Sequence, residues 1–327
     1  MEYKIKYSSF LEAIENRICG YIPKSEPENL YEPFRYIMEE GGKRIRPVLT
    51  MIACGAVGGN PEHALDSGIA LEILHNFTLA HDDIMDNSLI RRGKPTVHVK
   101  WNEAIAILTG DVMIGYAYKL LPKPHEHERC FEIFTNFTNE LIEVCEGQVI
   151  DMNFNHQKDI TIDDYMKMID KKTARLIEVS AVIGANVGYG NEIQINAVRN
   201  IARYAGLAFQ IQDDLLDMTA EQTNLGKKIG NDILEGKKTF MIITAKNKVN
   251  EQKDIDLINE FYEKNGLSES QIPDMDNLFK KYDVYSDTQK MVDELFEKSL
   301  SYFDKLDDNY YSGMLRWLIL GLNKRNK

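Results

Sequence analysis

Residues 74–92 read Leu-His-Asn-Phe-Thr-Leu-Ala-His-Asp-Asp-Ile-Met-Asp-Asn-Ser-Leu-Ile-Arg-Arg. An apolar stretch leads directly into three aspartates, and two arginines follow. On a helix Asp82 and Asp86 share a face, where like charges destabilise the helix by roughly a few tenths of a kcal/mol. A divalent cation would remove this cost, because Mg²⁺ takes carboxylate oxygens and completes its shell with water and phosphate. Arg91 and Arg92 suit that phosphate, since a guanidinium binds it through two hydrogen bonds.

A second stretch repeats the pattern. Residues 209–217, Phe-Gln-Ile-Gln-Asp-Asp-Leu-Leu-Asp, end in Asp213, Asp214 and Asp217. A single acidic cluster is what a solvated helix face would show. Two copies of Asp-Asp-x-x-Asp, each closing an apolar stretch, favour metal binding, because buried unpaired carboxylates are costly. Two such helices facing each other would hold several metal ions and, through them, a diphosphate.

Composition narrows the function classes. The 327-residue chain carries a net charge of −12, which argues against nucleic-acid binding, since that requires a basic surface. Its four cysteines are irregularly spaced, which favours reduced thiols over a zinc or redox site. The N-terminus has no apolar signal region, and no apolar run approaches about 18 residues, so we expect a cytoplasmic protein without a membrane span.

The hydrophobic periodicity predicts helices nearly throughout, and no segment predicts a strand or hairpin. We therefore expect an all-α protein, one helical bundle domain over residues 1–327. Arg92-Gly93-Lys94-Pro95 begins a loop that is a candidate lid, and residues 225–238 form a second loop. The predicted helices cover residues 4–19, 31–40, 48–57, 62–88, 101–121, 126–153, 163–187, 192–220, 239–248 and 252–322, the last with breaks near Gly266 and Pro273.

The chain resembles the trans-isoprenyl diphosphate synthases, or polyprenyl synthetase family, most of all the short-chain farnesyl and geranylgeranyl diphosphate synthases. The likeness spans most of the chain and follows the family's motif order. Its motifs are Gly-Gly-Lys-Arg-Ile-Arg-Pro at 41–47, Asp-Asp-Ile-Met-Asp at 82–86 with Arg91-Arg92-Gly93, Lys172-Thr173, the second aspartate stretch at 209–217, and Gly-Lys-Lys-Ile-Gly-Asn-Asp at 226–232.

The resemblance implies an antiparallel helical bundle with a central substrate cavity, and a homodimer. It implies that isopentenyl diphosphate is condensed head to tail with an allylic diphosphate such as dimethylallyl, geranyl or farnesyl diphosphate. Pyrophosphate leaves the allylic substrate, the double bond of isopentenyl diphosphate attacks the resulting cation, and a proton is lost. The protein's contribution is mainly electrostatic, and three Mg²⁺ ions per site would stabilise the leaving group.

The resemblance also assigns roles residue by residue. Asp82, Asp86 and Asp213 would bind Mg²⁺ directly, and Asp83, Asp214 and Asp217 would complete the metal site through water or by orienting its ligands. Thr173 and Gln210 would offer oxygens near the developing cation. Isopentenyl diphosphate would be bound by Lys43, Arg46, His75 and Arg92. The allylic diphosphate would be bound by Arg91, Lys172, Thr173, Gln210, Lys227 and Lys237.

Several of these residues also have simpler interpretations. Lys43 and Arg46 would cap the carbonyls of the preceding helix equally well. A lone histidine on an apolar helix, such as His75, is commonly a core residue with a local partner. Lysines of a solvated loop need no ligand, and a basic tail at 324–327 is by default frayed.

Two positions bear on product length. Phe77 and Thr78 precede Asp82 by five and four residues, roughly one helical turn. A growing chain directed down this helix would meet the aromatic ring, whereas the smaller Thr78 leaves room. The family pattern then favours a geranylgeranyl (C20) product, with farnesyl (C15) next.

Two other functions are consistent with part of the pattern. A class I terpene cyclase would share the first aspartate cluster, but it usually has an Asn/Ser/Glu-type second motif and does not need the 41–47 motif. A non-catalytic regulatory subunit of a prenyl synthase could dispense with the aspartates and basic residues, all of which are present here. Both comparisons favour chain elongation.

Overall fold

The structure is a computed structural model that describes residues 2–219 and 229–323. Over this part of the chain it confirms the all-α class predicted from the sequence. The α-helices are α1 Glu2–Tyr21, α2 Glu28–Glu39, α3 Ile45–Ala56, α4 Leu65–Met85, α5 Val97–Lys100, α6 Glu103–Lys119, α7 Cys130–Phe154, α8 Ile162–Ile169, α9 Arg175–Val187, α10 Glu192–Thr219, α11 Asn231–Leu234, α12 Phe240–Lys248, α13 Gln252–Lys264, α14 Ile272–Lys281, α15 Val284–Leu300 and α16 Tyr310–Asn323.

The chain forms two compact units. Unit 1 comprises Met1–Leu141, Leu176–Arg199 and Asp304–Trp317. Unit 2 comprises Ile142–Arg175, Asn200–Phe303 and Leu318–Lys327. The first aspartate cluster therefore belongs to unit 1 and the second to unit 2, and each is described within its own unit. The single domain expected over the whole chain stays a prediction.

Helix α4 is the central element of unit 1. It packs against α2, α3 and α6, and residues 67–74 form one continuous buried stretch. A short 3₁₀ turn, Pro61–Ala64, leads into it, and the Asn60 side chain accepts a hydrogen bond from the Glu62 amide at 3.1 Å. This buried packing fixes the direction in which the helix carries its C-terminal aspartates.

The hydrophobic pattern predicted that α4 would end at Ser88, but the helix ends at Met85. Asn87 adopts a left-handed conformation with φ 51°. Its amide donates to the Ile84 carbonyl at 3.2 Å, and the Ser88 amide donates to the Asp83 carbonyl at 2.9 Å. These two bonds are a Schellman cap, which asparagine forms more readily than most residues. The aspartates consequently occupy the last turn of the helix and its cap.

A two-residue hairpin follows, although the sequence predicted no strand. Strands β1 Ile90–Arg91 and β2 Lys94–Pro95 pair antiparallel, with Ile90 opposite Pro95. Arg92 and Gly93 form the turn with φ 51° and 79°, the type I′ geometry that matches the twist of paired strands. Arginine is unusual at the first position of a type I′ turn, so the local sequence does not predict the hairpin. The segment expected to begin a loop holds Arg91 and Arg92 in a defined conformation.

Unit 2 has its own hydrophobic core. Helix α12 packs against α8, α13, α14 and α15, and Met241, Phe261 and Phe279 are among the buried residues. The predicted break near Gly266 is present, because α13 ends at Lys264. The predicted break near Pro273 is also present, because α14 begins at Ile272 and Pro273 lies in its first turn, where a missing amide costs nothing.

The predicted helix 163–187 is interrupted. Residues Asp170–Ala174 form a π-helical turn between α8 and α9. Such turns are rare and occur frequently at functional sites. Here the turn contains Lys172 and Thr173. A Cβ atom on Gly147 of α7 would lie 2.5 Å from the Lys172 amide nitrogen, so the two backbones are in direct contact.

Candidate active site

The first acidic cluster lies at an unfavourable end of α4. Carboxylates near a helix C-terminus oppose the macrodipole, so this placement costs stability. Arg91 offsets part of the cost: its Nη2 atom lies 2.7 Å from Asp83 Oδ1, and its Nε donates to the same carboxylate at 2.9 Å. Asp82 and Asp86 also contribute to the raised pKa of Arg91. Asp83 is buried and committed to Arg91, which fits an orienting role better than direct metal binding.

A cluster of cations surrounds His75 on the same helix. Burial holds the pKa of His75 well below its ordinary value, and Arg46, Arg92, Arg91 and Arg44 lower it further. The histidine is therefore neutral and able to donate a hydrogen bond. Like charges brought together in this way are relieved by an anion, and guanidinium groups suit a diphosphate.

The motif at 41–47 divides its basic residues between two tasks. Arg44 is buried and pairs with Glu72 at 3.0 Å and with Glu15 at 2.8 Å, so it holds the fold together. Arg46 is half-buried, and its Nε atom has no hydrogen-bond partner among the described residues. Burial, and more weakly Arg92, keeps the pKa of Arg46 below its ordinary value, against the opposing effect of Glu72. Lys43 is exposed, and its backbone carbonyl accepts a hydrogen bond from the Tyr7 hydroxyl at 2.9 Å.

The two glycines of this motif support Arg92. An Arg92 Nη1 hydrogen is donated to the Gly41 carbonyl. A Cβ atom on Gly42, whose φ is 147°, would lie 3.4 Å from both terminal nitrogens of Arg92. Beneath Arg91 and Arg92 lies a cavity of about 20 Å³, room for roughly one water molecule. It is far too small for an isoprenoid.

The second acidic cluster, in unit 2, has a different environment. Asp214 is buried and accepts hydrogen bonds from the Tyr165 hydroxyl at 2.5 Å and from Gln210 Nε2 at 3.0 Å. Burial and the nearby Asp232 raise the pKa of Asp214 well above its usual range, and the two hydrogen bonds oppose this rise. Gln210 in turn accepts from Thr173 Oγ1 at 3.1 Å.

The segment after the second cluster returns to it. The Asp232 amide donates to Asp217 Oδ2 at 3.0 Å, and Lys237 Nζ lies 3.0 Å from Asp232 Oδ1 and 2.8 Å from Glu235. Burial opposes the charge of Lys237, but Asp232 and Glu235 outweigh it, so the pKa of Lys237 is raised. Lys237 is thus linked to the second cluster through Asp232.

The sequence analysis assigned no role to three residues of this half. Asp151 lies 2.6 Å from Lys172 Nζ, and Tyr165 and Asp232 contact the second cluster as described. The Gly147-Gln148-x-x-Asp151 spacing was visible in α7. Because Asp151 follows Gly147 by four residues and Gln148 by three, about one helical turn, that spacing could have suggested a shared face. Tyr165 carried no local signal, since its role depends on α10.

Comparison with known proteins decides the family. A family model described as polyprenyl synthetase matches residues 27–278. The chain belongs to the polyprenyl synthetase family. A geranylgeranyl diphosphate synthase of Methanosarcina mazei is 43% identical over 233 residues, 71% of this chain and 72% of the relative. A short chain isoprenyl diphosphate synthase of Methanothermobacter thermautotrophicus is 41% identical over 252 residues, 77% of each chain.

A solved structure agrees over the whole length. The geranylgeranyl pyrophosphate synthetase from Pyrococcus horikoshii has a TM-score of 0.91 and 33% identity, covering 99% of this chain and 100% of that one. This polyprenyl synthetase accordingly has the all-α isoprenoid synthase fold, and it is a short-chain prenyltransferase. No helix among residues 2–219 and 229–323 is long and apolar enough to cross a membrane.

The donor atoms fit a magnesium–diphosphate site. In the part of the chain that the structure describes, no three His, Cys, Asp or Glu side chains are grouped closely enough to hold a metal by themselves. Mg²⁺ does not need such a cage, because it is commonly bound by one or two carboxylates together with substrate phosphates. The paired aspartates of each cluster supply that donor set. Lys227, assigned to the allylic diphosphate, and the basic tail at 324–327 lie outside the described residues.

The neutral His75 leads to a test by pH. The unfolded chain takes up a proton near pH 6.5, whereas folded His75 does so only at lower pH. Stability is therefore lost as the pH falls through this window, by about 1 kcal/mol at roughly pH 5.5. Urea unfolding of wild type and His75→Gln at about pH 7.5 and 5.5 measures this, and the variant should lose less on acidification.

A matched control comes from the surface of the same unit. The His125 side chain is 76% exposed, so His125→Gln should keep the acid sensitivity of the wild type. An equal loss of stability on acidification in wild type and His75→Gln would show that His75 is not the group responsible.

Proposed function

We propose that this enzyme condenses isopentenyl diphosphate with allylic diphosphates to give geranylgeranyl diphosphate, with farnesyl diphosphate as the shorter alternative. The observation that carries the proposal is the arrangement of α4. Its last turn bears Asp82 and Asp86, and His75 with its surrounding arginines lies two turns earlier, about 10 Å along the axis. One helix thus presents a carboxylate site for a metal-bound diphosphate and a cationic site for a diphosphate that needs no metal.

The residues divide the work between the two substrates. Arg46, His75 and Arg92, with Lys43, bind isopentenyl diphosphate. Asp82 and Asp86 in unit 1, and Asp213 and Asp217 in unit 2, would hold Mg²⁺, which would supply positive charge against the negative charge of a departing pyrophosphate. Arg91, Lys172, Lys227 and Lys237 neutralise the rest of that charge and hold the leaving group. Thr173 and Gln210 place oxygens beside the allylic carbon that becomes positive. Three Mg²⁺ ions per site remain our expectation.

Product length is assigned to Phe77. The side chain is buried on α4, and its ring lies 4.7 Å from that of His81, edge to face. Truncation to alanine removes the ring that limits chain growth, so Phe77→Ala should release products at least one isoprene unit longer. Reversed-phase chromatography of dephosphorylated products checks this. Phe279→Leu, which trims a core aromatic of unit 2, should leave the length unchanged. Unaltered products from Phe77→Ala would refute the assignment.

We infer that the enzyme is a homodimer. Ile107 and Leu108 on α6, and Phe131 and Phe134 on α7, are large apolar side chains exposed on unit 1. A contiguous apolar patch commonly marks a protein–protein contact, and Phe131 and Phe134, three residues apart, share one face of α7. Sedimentation equilibrium tests the state directly, and a monomer across the micromolar range would contradict it.

The decisive experiment supplies isopentenyl diphosphate with dimethylallyl, geranyl and farnesyl diphosphate in turn, with and without Mg²⁺. Elongated C20 product that requires the metal supports the proposal. A cyclic hydrocarbon would indicate a terpene cyclase. No product from any primer would indicate a non-catalytic subunit.

A further inference from the structure

A chain of hydrogen bonds in unit 2 runs from a buried tyrosine to the π-helical turn. Tyr165 Oη donates to Asp214 Oδ2 at 2.5 Å, and Gln210 Nε2 donates to Asp214 Oδ1 at 3.0 Å. At the far end Thr173 Oγ1 donates to Gln210 Oε1 at 3.1 Å. Tyr165 is 1% exposed and Asp214 is 6% exposed, so water does not substitute for these partners.

The chemistry of each group fixes the direction of this chain. The two oxygens of Asp214 accept from two donors, Tyr165 and Gln210. Because an amide has a donor end and an acceptor end, Gln210 turns its Oε1 atom toward Thr173. The single hydroxyl hydrogen of Thr173 is then used by Gln210, and the free lone pairs of its oxygen point elsewhere.

Tyr165 holds the buried end of the chain. Its ring packs edge to face against Phe240, with centroids 6.3 Å apart, so the hydroxyl has little freedom to move. It belongs to α8, whereas Asp214 and Gln210 belong to α10, and Thr173 lies in the π turn that follows α8. Asp213 and Asp232, both acidic, act on Asp214 electrostatically. Without the tyrosine donor, Asp214 would face the negative charge of Asp213 and Asp232 while it accepts a side-chain hydrogen bond from Gln210.

We propose that Tyr165 is a positioning residue: by donating to Asp214 it orients Gln210, so that Thr173 presents its oxygen lone pairs to the positive charge developing on the allylic substrate. The inference rests on the proposed roles of Thr173 and Gln210. Tyr165 itself touches no substrate. It affects binding where the allylic group carries positive charge, and much less where that group is uncharged.

That distinction gives the test. Calorimetry in the presence of Mg²⁺ compares two diphosphate probes. One is an ammonium analogue of the allylic cation, and the other is an allylic thiolodiphosphate, whose allylic chain carries no charge. Hydrogen bonds to charged groups are worth more than neutral ones, so Tyr165→Phe should weaken the ammonium analogue about tenfold. The thiolodiphosphate should change by less than about twofold. A merely structural tyrosine would weaken both probes equally.

Tyr262 provides the matched control. Its hydroxyl is also buried in unit 2, and it has no hydrogen-bond partner among the described residues. Tyr262→Phe removes the same atom from a comparable environment, and we expect neither probe to change affinity. If Tyr262→Phe reproduced the selective loss, the hydrogen bond to Asp214 would not be its cause and the inference would fail.

A double-mutant cycle identifies the route. If Tyr165 acts through Thr173, Tyr165→Phe should cost no further affinity for the ammonium analogue in a Thr173→Val background. Additive losses would overturn the inference. Should Tyr165→Phe not fold, Tyr165→Met removes the same hydroxyl with a flexible side chain that adapts to the core, and it is held to the same selectivity. A wild type that binds both probes equally would instead refute the proposed role of Thr173, and the inference with it.

Discussion

Replacing Asp82 with asparagine is expected to lower kcat by about 10³-fold, the largest loss of any single change considered for this enzyme. The carboxylate lies in the last turn of α4, where the helix dipole opposes its charge. Such a placement is stable only if cations compensate, and Arg91 is already paired with Asp83 at 2.7 Å. Asparagine keeps the shape of the side chain but removes the charge that Mg²⁺ requires.

The matched control lies at the other end of the same helix. Asp66 pairs with Arg17 at 2.7 Å, and both side chains are about 40% exposed. Such surface pairs contribute about 1 kcal/mol or less, so Asp66→Asn should leave kcat within twofold of wild type. Steady-state rates against Mg²⁺ concentration separate the outcomes. An Asp82→Asn enzyme that keeps more than a tenth of the wild-type kcat would exclude Asp82 as a metal ligand.

Gly147→Ala is expected to reduce kcat by about 10²-fold although the residue touches no substrate, because small displacements of positioning groups are this costly. The new Cβ would lie 2.5 Å from the Lys172 amide nitrogen and 2.8 Å from its Cα. Both are backbone atoms, so no side chain can rotate away. The π turn that carries Lys172 and Thr173 must shift, at a further cost of about 1–3 kcal/mol in stability.

A glycine without neighbours gives the comparison. Gly20, near the end of α1, has no atom within 4 Å of the position its Cβ would take. Gly20→Ala should therefore be neutral or stabilising by up to about 1 kcal/mol, with unchanged kcat. Thermal unfolding and kcat are measured for both variants. Wild-type turnover by Gly147→Ala would show that the π turn tolerates displacement and would remove it from the proposed site.

The two aspartate clusters were predictable because each depends on local spacing. Residues four apart share a helix face wherever the helix lies, so Asp82 with Asp86 and Asp213 with Asp217 follow from the sequence alone. The hairpin after α4 was not predictable, since Arg92 is an unusual residue at a type I′ turn and tertiary contacts with Gly41 support it. The π turn was missed because the periodicity of residues 163–187 is that of an uninterrupted helix.

The sequence by itself determined the all-α class, the family and the chemistry of the candidate site, because helix periodicity and motif spacing are properties of neighbouring residues. Only the tertiary structure decided which basic side chains of the 41–47 motif form ion pairs within the fold and which do not. Arg44 forms ion pairs with Glu15 and Glu72. Arg46, two residues later, lies near His75, and its Nε atom has no hydrogen-bond partner among the described residues. A buried carboxylate that neutralises one of these basic groups comes from a residue distant in the chain. A local sequence pattern therefore does not predict which basic group is neutralised.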